Sequence, residues 1–305
     1  MVNWLKRIIQ VSTSKSTWVY RNKPHNYKNP RIDSHAIVLV VCYKDYHLLH
    51  ICLKSLAKNW LGNKHIIFIS EDMGDEYKSI TIDLLPDWKI EHHMAPIMTQ
   101  YNGWYRQQCC KLWAGLVATV EWLIILDCKN ALIEPVESTE FINEDYILLN
   151  GISEQIGYNH EWSHKVNINS KSWVNGKDIG LCPDTTTPWV FNVGELRLLW
   201  DKFDFTIYNE TEWDGTEFFI YWYWVNEKFN WVLKKITSGA LALEPTPKLI
   251  ELNPDAVIYT ADRSHLKDPV FFKMYIDYLI KLEILNNNDY ETIQNYQRDF
   301  QESRR

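Results

Sequence analysis

Three apolar runs, each ending in polar or acidic residues, constrain the fold of this chain more than any other feature. They are the predicted strands at residues 36–43, 65–72 and 122–127. Apolar residues on both faces of a strand are typical of a parallel sheet that is covered by helices. Helical spacing follows the first strand at residues 45–60 and precedes the third at residues 104–120. This alternation predicts an α/β fold with a mixed, mostly parallel sheet and right-handed crossovers.

Weaker patterns predict the remaining elements. Residues 88–94 alternate between apolar and polar side chains, which indicates a further strand. The other predictions are a strand at residues 145–150, a loop entering a short strand at 185–193, helices at 193–203 and 215–229, a strand and loop at 256–268, and two helices over 269–305 separated by the sequence NNND.

The sequence divides into three predicted parts. Residues 1–35 are an N-terminal arm, in which residues 1–10 are predicted as a short helix with Trp4, Ile8 and Ile9 on one side. Such a helix either packs on the protein, which we favour, or lies on a membrane surface. Residues 36–265 form the α/β domain, and residues 266–305 form a helical extension.

Composition excludes several classes of protein. The formal net charge is −7 and no long basic run occurs, which argues against nucleic-acid binding. No stretch approaches the about 18–20 apolar residues of a transmembrane helix. The six cysteines include no C-x-x-C pair and read as reduced, mostly buried thiols. We therefore predict a cytoplasmic protein, either free or peripheral to a membrane.

Aromatic residues are unusually frequent, with 15 Trp and 17 Tyr in 305 residues. Aromatic rings fill cores, and they also stack on the apolar faces of sugars. Core packing is the more frequent use of a Trp side chain.

Polar residues follow three of the predicted strands and mark one edge of the sheet. They are Tyr43–Asp45, then Glu71 and Asp72, then Asp127–Asn130. In open α/β sheets, ligands bind beyond the carboxyl ends of the strands. The sequence therefore predicts a ligand site at this edge.

The segment GWYRQQCCKLWAGLVATVEWLIILDCKNALIEP at residues 103–135 carries a family resemblance. It resembles the region around the D-x-D strand of GT-A glycosyltransferases, the nucleotide-diphospho-sugar transferase superfamily. Within them it is similar to a poorly characterised bacterial and viral group with a G-W-[FY]-R-Q-Q-x-x-K helix. Thr187–Trp189 and Thr216–Phe218 match two further elements of that group, T-P-[YFW] and [ST]-E-[YF], in sequence order.

The resemblance implies a GT-A-like fold and transfer of a sugar from a nucleotide-sugar donor. The acceptor would be a glycan or a lipid-linked or other molecule, in surface-polysaccharide or other glycan assembly. Two alternatives remain. One is a nucleotidyltransferase with the same fold, and the other is a catalytically inactive glycan-binding or scaffold protein, because fold alone does not decide function.

The D-x-D position departs from the family pattern. The family holds Mn²⁺ or Mg²⁺ there, but this chain reads Asp127-Cys128-Lys129-Asn130. In one interpretation Lys129 contacts the donor diphosphate directly and no metal is needed. In another Asp127 still binds a divalent metal, assisted by Asn130 or His265. In a third Lys129 is a solvated turn residue.

Further donor contacts are predicted on the helix that begins at Gly103. Arg106, Gln107 and Lys111 are the candidates, because a helix N-terminus favours anions. The alternative is that they form internal hydrogen bonds that hold this helix in place. Asp45 and Asp72 are candidate contacts for the nucleotide, although Asp45 also suits an N-cap.

The resemblance favours Glu217 as the catalytic base or as an acceptor ligand. The alternative is that Asp214 and Glu217 form a capping-box variant at the start of a helix. The predicted acceptor platform consists of Trp189, Trp213 and Tyr221. His265 is additionally predicted to approach the diphosphate from the C-terminal loop.

Overall fold

The computed structural model describes most of the chain. The described residues are 8–10, 17–20, 34–70, 75–96, 103–143, 146–150, 161–177, 186–203, 215–234, 236–238, 256–261 and 268–302. The strands are β1 Ile8–Gln10, β2 Thr17–Tyr20, β3 His35–Val41, β4 His65–Ser70, β5 Lys89–Met94, β6 Trp122–Asp127, β7 Asn130–Leu132, β8 Ile147–Asn150, β9 Trp189–Asn192, β10 Trp231–Lys234, β11 Thr237–Ser238 and β12 Ile258–Thr260. The helices are α1 Tyr46–Asn59, α2 Asp75–Leu84, α3 Gly103–Val117, α4 Glu161–Trp173, α5 Val193–Lys202, α6 Glu217–Val225, α7 Pro269–Lys281 and α8 Asn287–Glu302.

A five-stranded sheet with the order β5-β4-β3-β6-β9 forms the centre of the fold. It is mostly parallel: β5 pairs parallel with β4, whereas the edge strand β9 pairs antiparallel with β6. Every residue of β3 and β4 is buried, as the continuous apolar runs predict for strands covered on both faces. The predicted α/β class is confirmed.

Contacts divide the chain into two compact units whose boundaries fall inside β3 and β6. The first unit contains residues 1–38, 95–125 and 139–235. Within it, a sheet of order β1-β2-β10-β8 accompanies helices α3 to α6. Helix α6 is almost wholly apolar, and all but one of its residues are buried.

The second unit contains residues 39–94, 126–138 and 236–305. Within it, β7 pairs antiparallel with β12, which pairs parallel with β11. Helices α1, α2, α7 and α8 belong to this unit, and α7 and α8 lie within residues 266–305, whose role as a separate extension stays a prediction. Both units interleave along the sequence, whereas the sequence predicts consecutive parts.

In the N-terminal arm, residues 8–10 and 17–20 form strands, so residues 8–10 are not helical as predicted, and residues 1–7 of the predicted helix lie outside the described residues. Ile8–Gln10 forms β1 and pairs antiparallel with Thr17–Tyr20. Strand β10 then pairs with the other edge of β2, again antiparallel. The β-branched residues Ile8 and Ile9 suit a strand, and the nearby strand β2 supplies the pairing partner.

Several helix boundaries also differ from the prediction. Helix α6 ends at Val225, four residues earlier than predicted. The sequence NNND does not separate the last two helices, because α8 already begins at Asn287. Helices α2 and α4 were not predicted. Polar Asn, Ser and Thr residues lower helix propensity, and α4 is held by packing on α6.

None of the described helices is both long enough and apolar enough to span a membrane. The five described cysteines, at positions 42, 52, 109, 110 and 128, are free thiols, as predicted.

Candidate functional site

Asp127 and Lys129 lie in the tight turn between β6 and β7, in the second unit. The Lys129 Nζ atom is 3.7 Å from Asp127 Oδ2. The Asp127 side chain is 14% exposed and that of Lys129 is 30% exposed, so both reach the surface from a largely buried strand end. The structure therefore places a positive charge beside the acid at the D-x-D position.

Asn130 fixes the geometry of this turn. Its Oδ1 accepts a hydrogen bond from the Asp127 backbone N–H at 2.7 Å, and its Nδ2 donates to Thr260 Oγ1 at 2.8 Å. Asn130 is fully buried. Both ends of its amide are thus engaged with the protein, and this contact holds Asp127 and Lys129 relative to β12. Donor or metal contact by Asn130 remains a prediction.

Asp45 is buried just beyond the end of β3, the strand next to β6 in the sheet. It occupies the N-cap position of α1, but its side chain makes no capping hydrogen bond. Its backbone N–H donates to the Cys42 carbonyl at 2.8 Å. The N-cap alternative therefore accounts for its position but not for its carboxylate. We call Asp45, Asp127, Lys129 and Asn130 the strand-end group.

The charge of Asp127 affects the pKa of a buried cysteine in the second unit. Burial, and secondly the negative charge of Asp127, raise the pKa of the Cys52 thiol. Cys52 is fully buried and stays protonated, so it is an inert core residue.

The described residues do not by themselves fit a divalent metal. No cluster of three or more His, Cys, Asp or Glu side chains among them is arranged to hold an ion. A hard cation prefers several oxygen ligands, and an ammonium group 3.7 Å from the carboxylate repels it. His265, the other predicted ligand, lies outside the described residues, as do Asp72 and Trp213.

A second polar cluster lies in the first unit, between α3 and α6. Lys111 Nζ is 3.0 Å from Glu217 Oε1, and both side chains are at most 5% exposed. Lys111 Nζ also lies 4.6 Å from the centre of the Phe218 ring. The predicted donor contact Lys111 and the predicted base Glu217 thus form a buried ion pair. We call Gln108, Lys111 and Glu217 the α3–α6 cluster.

The start of α6 corrects the capping-box alternative for Glu217. The N-cap is Thr216, whose hydroxyl accepts from the Phe219 N–H at 3.2 Å. Glu217 is the first helical residue, and its N–H donates to Gln108 Oε1 at 3.1 Å. Its carboxylate is therefore not needed as a cap and is available for the ion pair with Lys111.

The remaining donor candidates of α3 differ in exposure from Lys111. Arg106 and Gln107 are half-buried near the helix start, whereas Lys111 is 4% exposed. The interpretation that internal bonds hold this helix in place applies to Lys111 and to Gln108. Gln108 was not among the site residues predicted from the sequence. Their helical spacing at i and i+3 was the signal that both face one partner.

Trp189 and Tyr221 lie in the core instead of forming an exposed acceptor platform. Trp189 is 1% exposed and stacks on Phe218 with ring centres 4.9 Å apart. Tyr221 is fully buried, and its hydroxyl oxygen accepts from the Asn192 N–H at 2.6 Å. Neither ring has a free face for a sugar, so these two residues do not form an acceptor platform.

Comparisons with known proteins give only distant likenesses. No protein-family model matches the chain, and no curated protein matches it. Among solved structures, S. aureus TarS matches at 12% identity over 76% of this chain and 37% of that chain, with a TM-score of 0.45. TarS 1-349 in complex with UDP-GlcNAc matches at 12% identity over 75% of this chain and 59% of that chain, with a TM-score of 0.41.

Core-mannan synthase A (CmsA/Ktr4) from Aspergillus fumigatus, in a Mn/GDP form, matches at 13% identity over 62% of this chain and 73% of that chain, with a TM-score of 0.32. This chain spans little more than a third of the first TarS chain that it matches. All of these TM-scores are below 0.5, so the likenesses carry no argument.

Proposed function

We propose that this protein is a glycosyltransferase that moves a sugar from a nucleotide-sugar donor to a glycan, lipid-linked or other acceptor. The observation that carries the proposal is the strand-end group, in which Lys129 and Asp127 are held beyond a buried strand by the Asn130 contacts. Ligands of open α/β sheets bind at such strand ends.

The chemistry of the donor explains why a cation is needed at this position. When the glycosidic bond breaks, the leaving nucleoside diphosphate gains negative charge that must be stabilised. Lys129, which is 30% exposed on its side chain, is placed to contact phosphate oxygens as a point charge. In a D-x-D site, the second acid helps to bind a metal ion that neutralises this charge. In this proposal the ammonium group of Lys129 supplies the positive charge in place of the metal ion.

The remaining site residues are assigned to the nucleoside, to catalysis and to further donor contacts. Asp45 is buried just beyond the end of β3, the strand next to β6 in the sheet, so it is the proposed contact for the ribose or base. Glu217 is the proposed base, on the resemblance of the Thr216–Phe218 segment. Arg106 and Gln107 are further proposed donor contacts.

Calorimetry with nucleoside diphosphates and nucleotide sugars tests the proposal. We expect one nucleotide and its sugar form to bind, and Lys129→Ala to weaken that binding about tenfold through loss of a charge-assisted contact. Lys64→Ala is the matched control, because Lys64 is exposed just before β4, at the opposite end of the strands. Release of the nucleoside diphosphate in the presence of mixed glycans then measures transfer.

Each alternative has its own outcome in this experiment. Binding of a nucleoside triphosphate with release of pyrophosphate would identify a nucleotidyltransferase. Glycan binding without any nucleotide binding would identify a non-catalytic glycan-binding protein. If no nucleotide binds at millimolar concentration, the proposed function is rejected.

A further inference from the structure

The side-chain amide of Gln108 is a buried hydrogen-bond donor with no acceptor. Gln108 is 2% exposed, and its Oε1 accepts from the Glu217 N–H at 3.1 Å. Its Nε2 is buried and has no hydrogen-bond partner within the described part of the chain. Native proteins satisfy nearly all such groups, so an orphaned amide indicates that something else occupies the position.

The orientation of this amide is fixed by chemistry. The oxygen and nitrogen of a glutamine are exchanged by a flip, but the Glu217 N–H is a donor and requires an oxygen. The Nε2 atom therefore points away from the Glu217 N–H. A simple reassignment of the two atoms does not remove the orphaned donor.

The neighbours of the amide suit a hydroxyl group. Glu217, whose backbone Gln108 contacts, carries a carboxylate that Lys111 holds at 3.0 Å. A hydroxyl is both a donor and an acceptor, so a single group accepts from Gln108 Nε2 while it donates to Glu217. A phosphate cannot do so, because it lacks the proton and is repelled by the carboxylate.

An aromatic ring contacts this polar cluster. Phe218 follows Glu217, lies beside Lys111 Nζ and stacks on Trp189. The Phe218 ring thus helps to hold the Lys111 ammonium beside Glu217.

We propose that the α3–α6 cluster binds a hydroxyl group of a sugar, with Gln108 Nε2 as donor and Glu217 as acceptor. The inference rests on the proposed function and deepens it. It assigns sugar recognition to Gln108, a residue outside the predicted site. The hydroxyl comes either from a free saccharide acceptor or from the sugar of the nucleotide donor.

The test observes the Gln108 side-chain amide by nuclear magnetic resonance in protein labelled with ¹⁵N-glutamine. The signal is assigned by its loss in Gln108→Met, or in Gln108→Glu if the methionine variant does not fold. Probes are glucose, galactose, mannose and N-acetylglucosamine, and separately UDP-GlcNAc, GDP-mannose, UDP and GDP. We expect the signal to shift with at least one sugar-containing probe and not with UDP or GDP.

A matched variant separates recognition from helix stability. Ser170 Oγ accepts from the Thr216 N–H at 3.3 Å, so Ser170→Ala removes a neighbouring acceptor at the same end of α6. We expect Gln108→Met to weaken binding of the responding probe about fivefold, since one neutral hydrogen bond is lost. Ser170→Ala should leave that affinity unchanged.

The arms of the experiment distinguish the sources of the hydroxyl. A shift with a monosaccharide assigns the cluster to the acceptor, whereas a shift only with UDP-GlcNAc or GDP-mannose assigns it to the donor sugar. No shift with any sugar, the same shift with UDP or GDP, or equal losses in Gln108→Met and Ser170→Ala would overturn the inference. Nucleotide binding at the strand-end group is measured independently, so failure of the proposed function is recognised separately.

Discussion

At the scale of single residues, the charge of Lys129 bears directly on whether the protein needs a metal ion. An ammonium group 3.7 Å from Asp127 neutralises the carboxylate that a metal would need. In the proposed function it also offers a positive charge to the donor diphosphate without a bound ion. The metal requirement of the reaction is therefore expected to be weak.

Turnover in EDTA and in Mn²⁺ measures this prediction. Wild type should keep most of its turnover in EDTA, and Lys129→Ala should lose about tenfold or more, because a charge that stabilises the leaving group is removed. Lys129→Asp restores a second acid and should make turnover depend on Mn²⁺. Wild type that is inactive in EDTA, together with a fully active Lys129→Ala in Mn²⁺, would show an ordinary metal site at Asp127.

The buried pair Lys111–Glu217 governs how Glu217 must be tested. Removing one partner leaves the other charge buried and unpaired, which costs about 3–5 kcal/mol of folding free energy. We therefore expect Glu217→Gln to lower stability as well as activity. Urea unfolding of Glu217→Gln, Lys111→Met and the double variant measures this coupling.

The double variant is the control. Because it removes both charges, it should lose clearly less than the sum of the two single variants. If the double variant regains stability but shows no transfer, a catalytic role for the pair is supported. If Glu217→Gln keeps wild-type stability and turnover, both the ion pair and the base are rejected as important.

At the scale of elements, the turn between α7 and α8 stores local strain. Glu283 has a φ of 56°, in the left-handed region that disfavours residues with a side chain. Its carboxylate lies 3.5 Å from Lys58 but is 88% exposed, so this ion pair contributes little. The turn is held instead by Lys58 Nζ, which donates to the Leu282 carbonyl at 2.7 Å.

Glu283→Gly should therefore stabilise the protein. Glycine adopts this conformation without a Cβ clash, and the expected gain is about 0.5–1 kcal/mol after its larger unfolded-state entropy is included. Asn175→Gly is the control, since Asn175 has a φ of 52° but asparagine tolerates this region better. Urea unfolding should give a smaller gain for Asn175→Gly, and an equal or larger gain would contradict the strain argument.

At the scale of the whole molecule, buried histidines predict how stability depends on pH. Burial is the largest cause that lowers the pKa of His50, His65 and His92. Asp289 at 2.9 Å from His50, and Glu91 at 2.9 Å from His65, oppose that shift without reversing it. The positive charge of Lys54 further lowers the pKa of His50, and that of Lys89 further lowers the pKa of His65. Lys78 and His93 further lower the pKa of His92.

These histidines should make the protein less stable in mild acid. A lowered folded pKa means that the unfolded chain takes up protons first as the pH falls below about 6.5. Stability is thus fully present above that pH and is lost progressively on acidification towards the lowered folded pKa values. Urea unfolding at pH 7.5, 6.5 and 5.5 should show a steady decrease, with a smaller slope in His50→Gln. A flat or rising stability would contradict the prediction.

Two carboxylates, Glu91 and Asp289, make the folding stability decrease further at lower pH. Burial acts to raise the pKa of Glu91, but hydrogen bonds from Lys89, His93 and His65 outweigh it and bring the pKa to about 2. Burial likewise opposes the lowered pKa of Asp289, which Lys54 and His50 stabilise by hydrogen bonds. Their contributions are present at neutral pH and are lost as the pH falls through the folded values.

The sequence by itself determined the elements whose pattern is local. Continuous apolar runs identified β3, β4 and β6, and helical spacing identified α1, α3 and α5, because burial on one or both faces leaves its period in the chain. The residues that follow β3 and β6 were predicted at one edge for the same reason. The polar helix α4 has no such periodic signal and was missed.

Only the tertiary structure decided which polar groups meet. Gln108 and Glu217 are 109 positions apart, and no local rule joins them. Trp189 and Tyr221 have the composition of a sugar platform, yet packing of α6 against β9 buries both rings. Ile8–Gln10 is a strand because it pairs with β2, which in turn pairs with the remote strand β10. Long-range pairing and burial depend on the whole chain at once, whereas propensity and periodicity act over a few neighbouring residues.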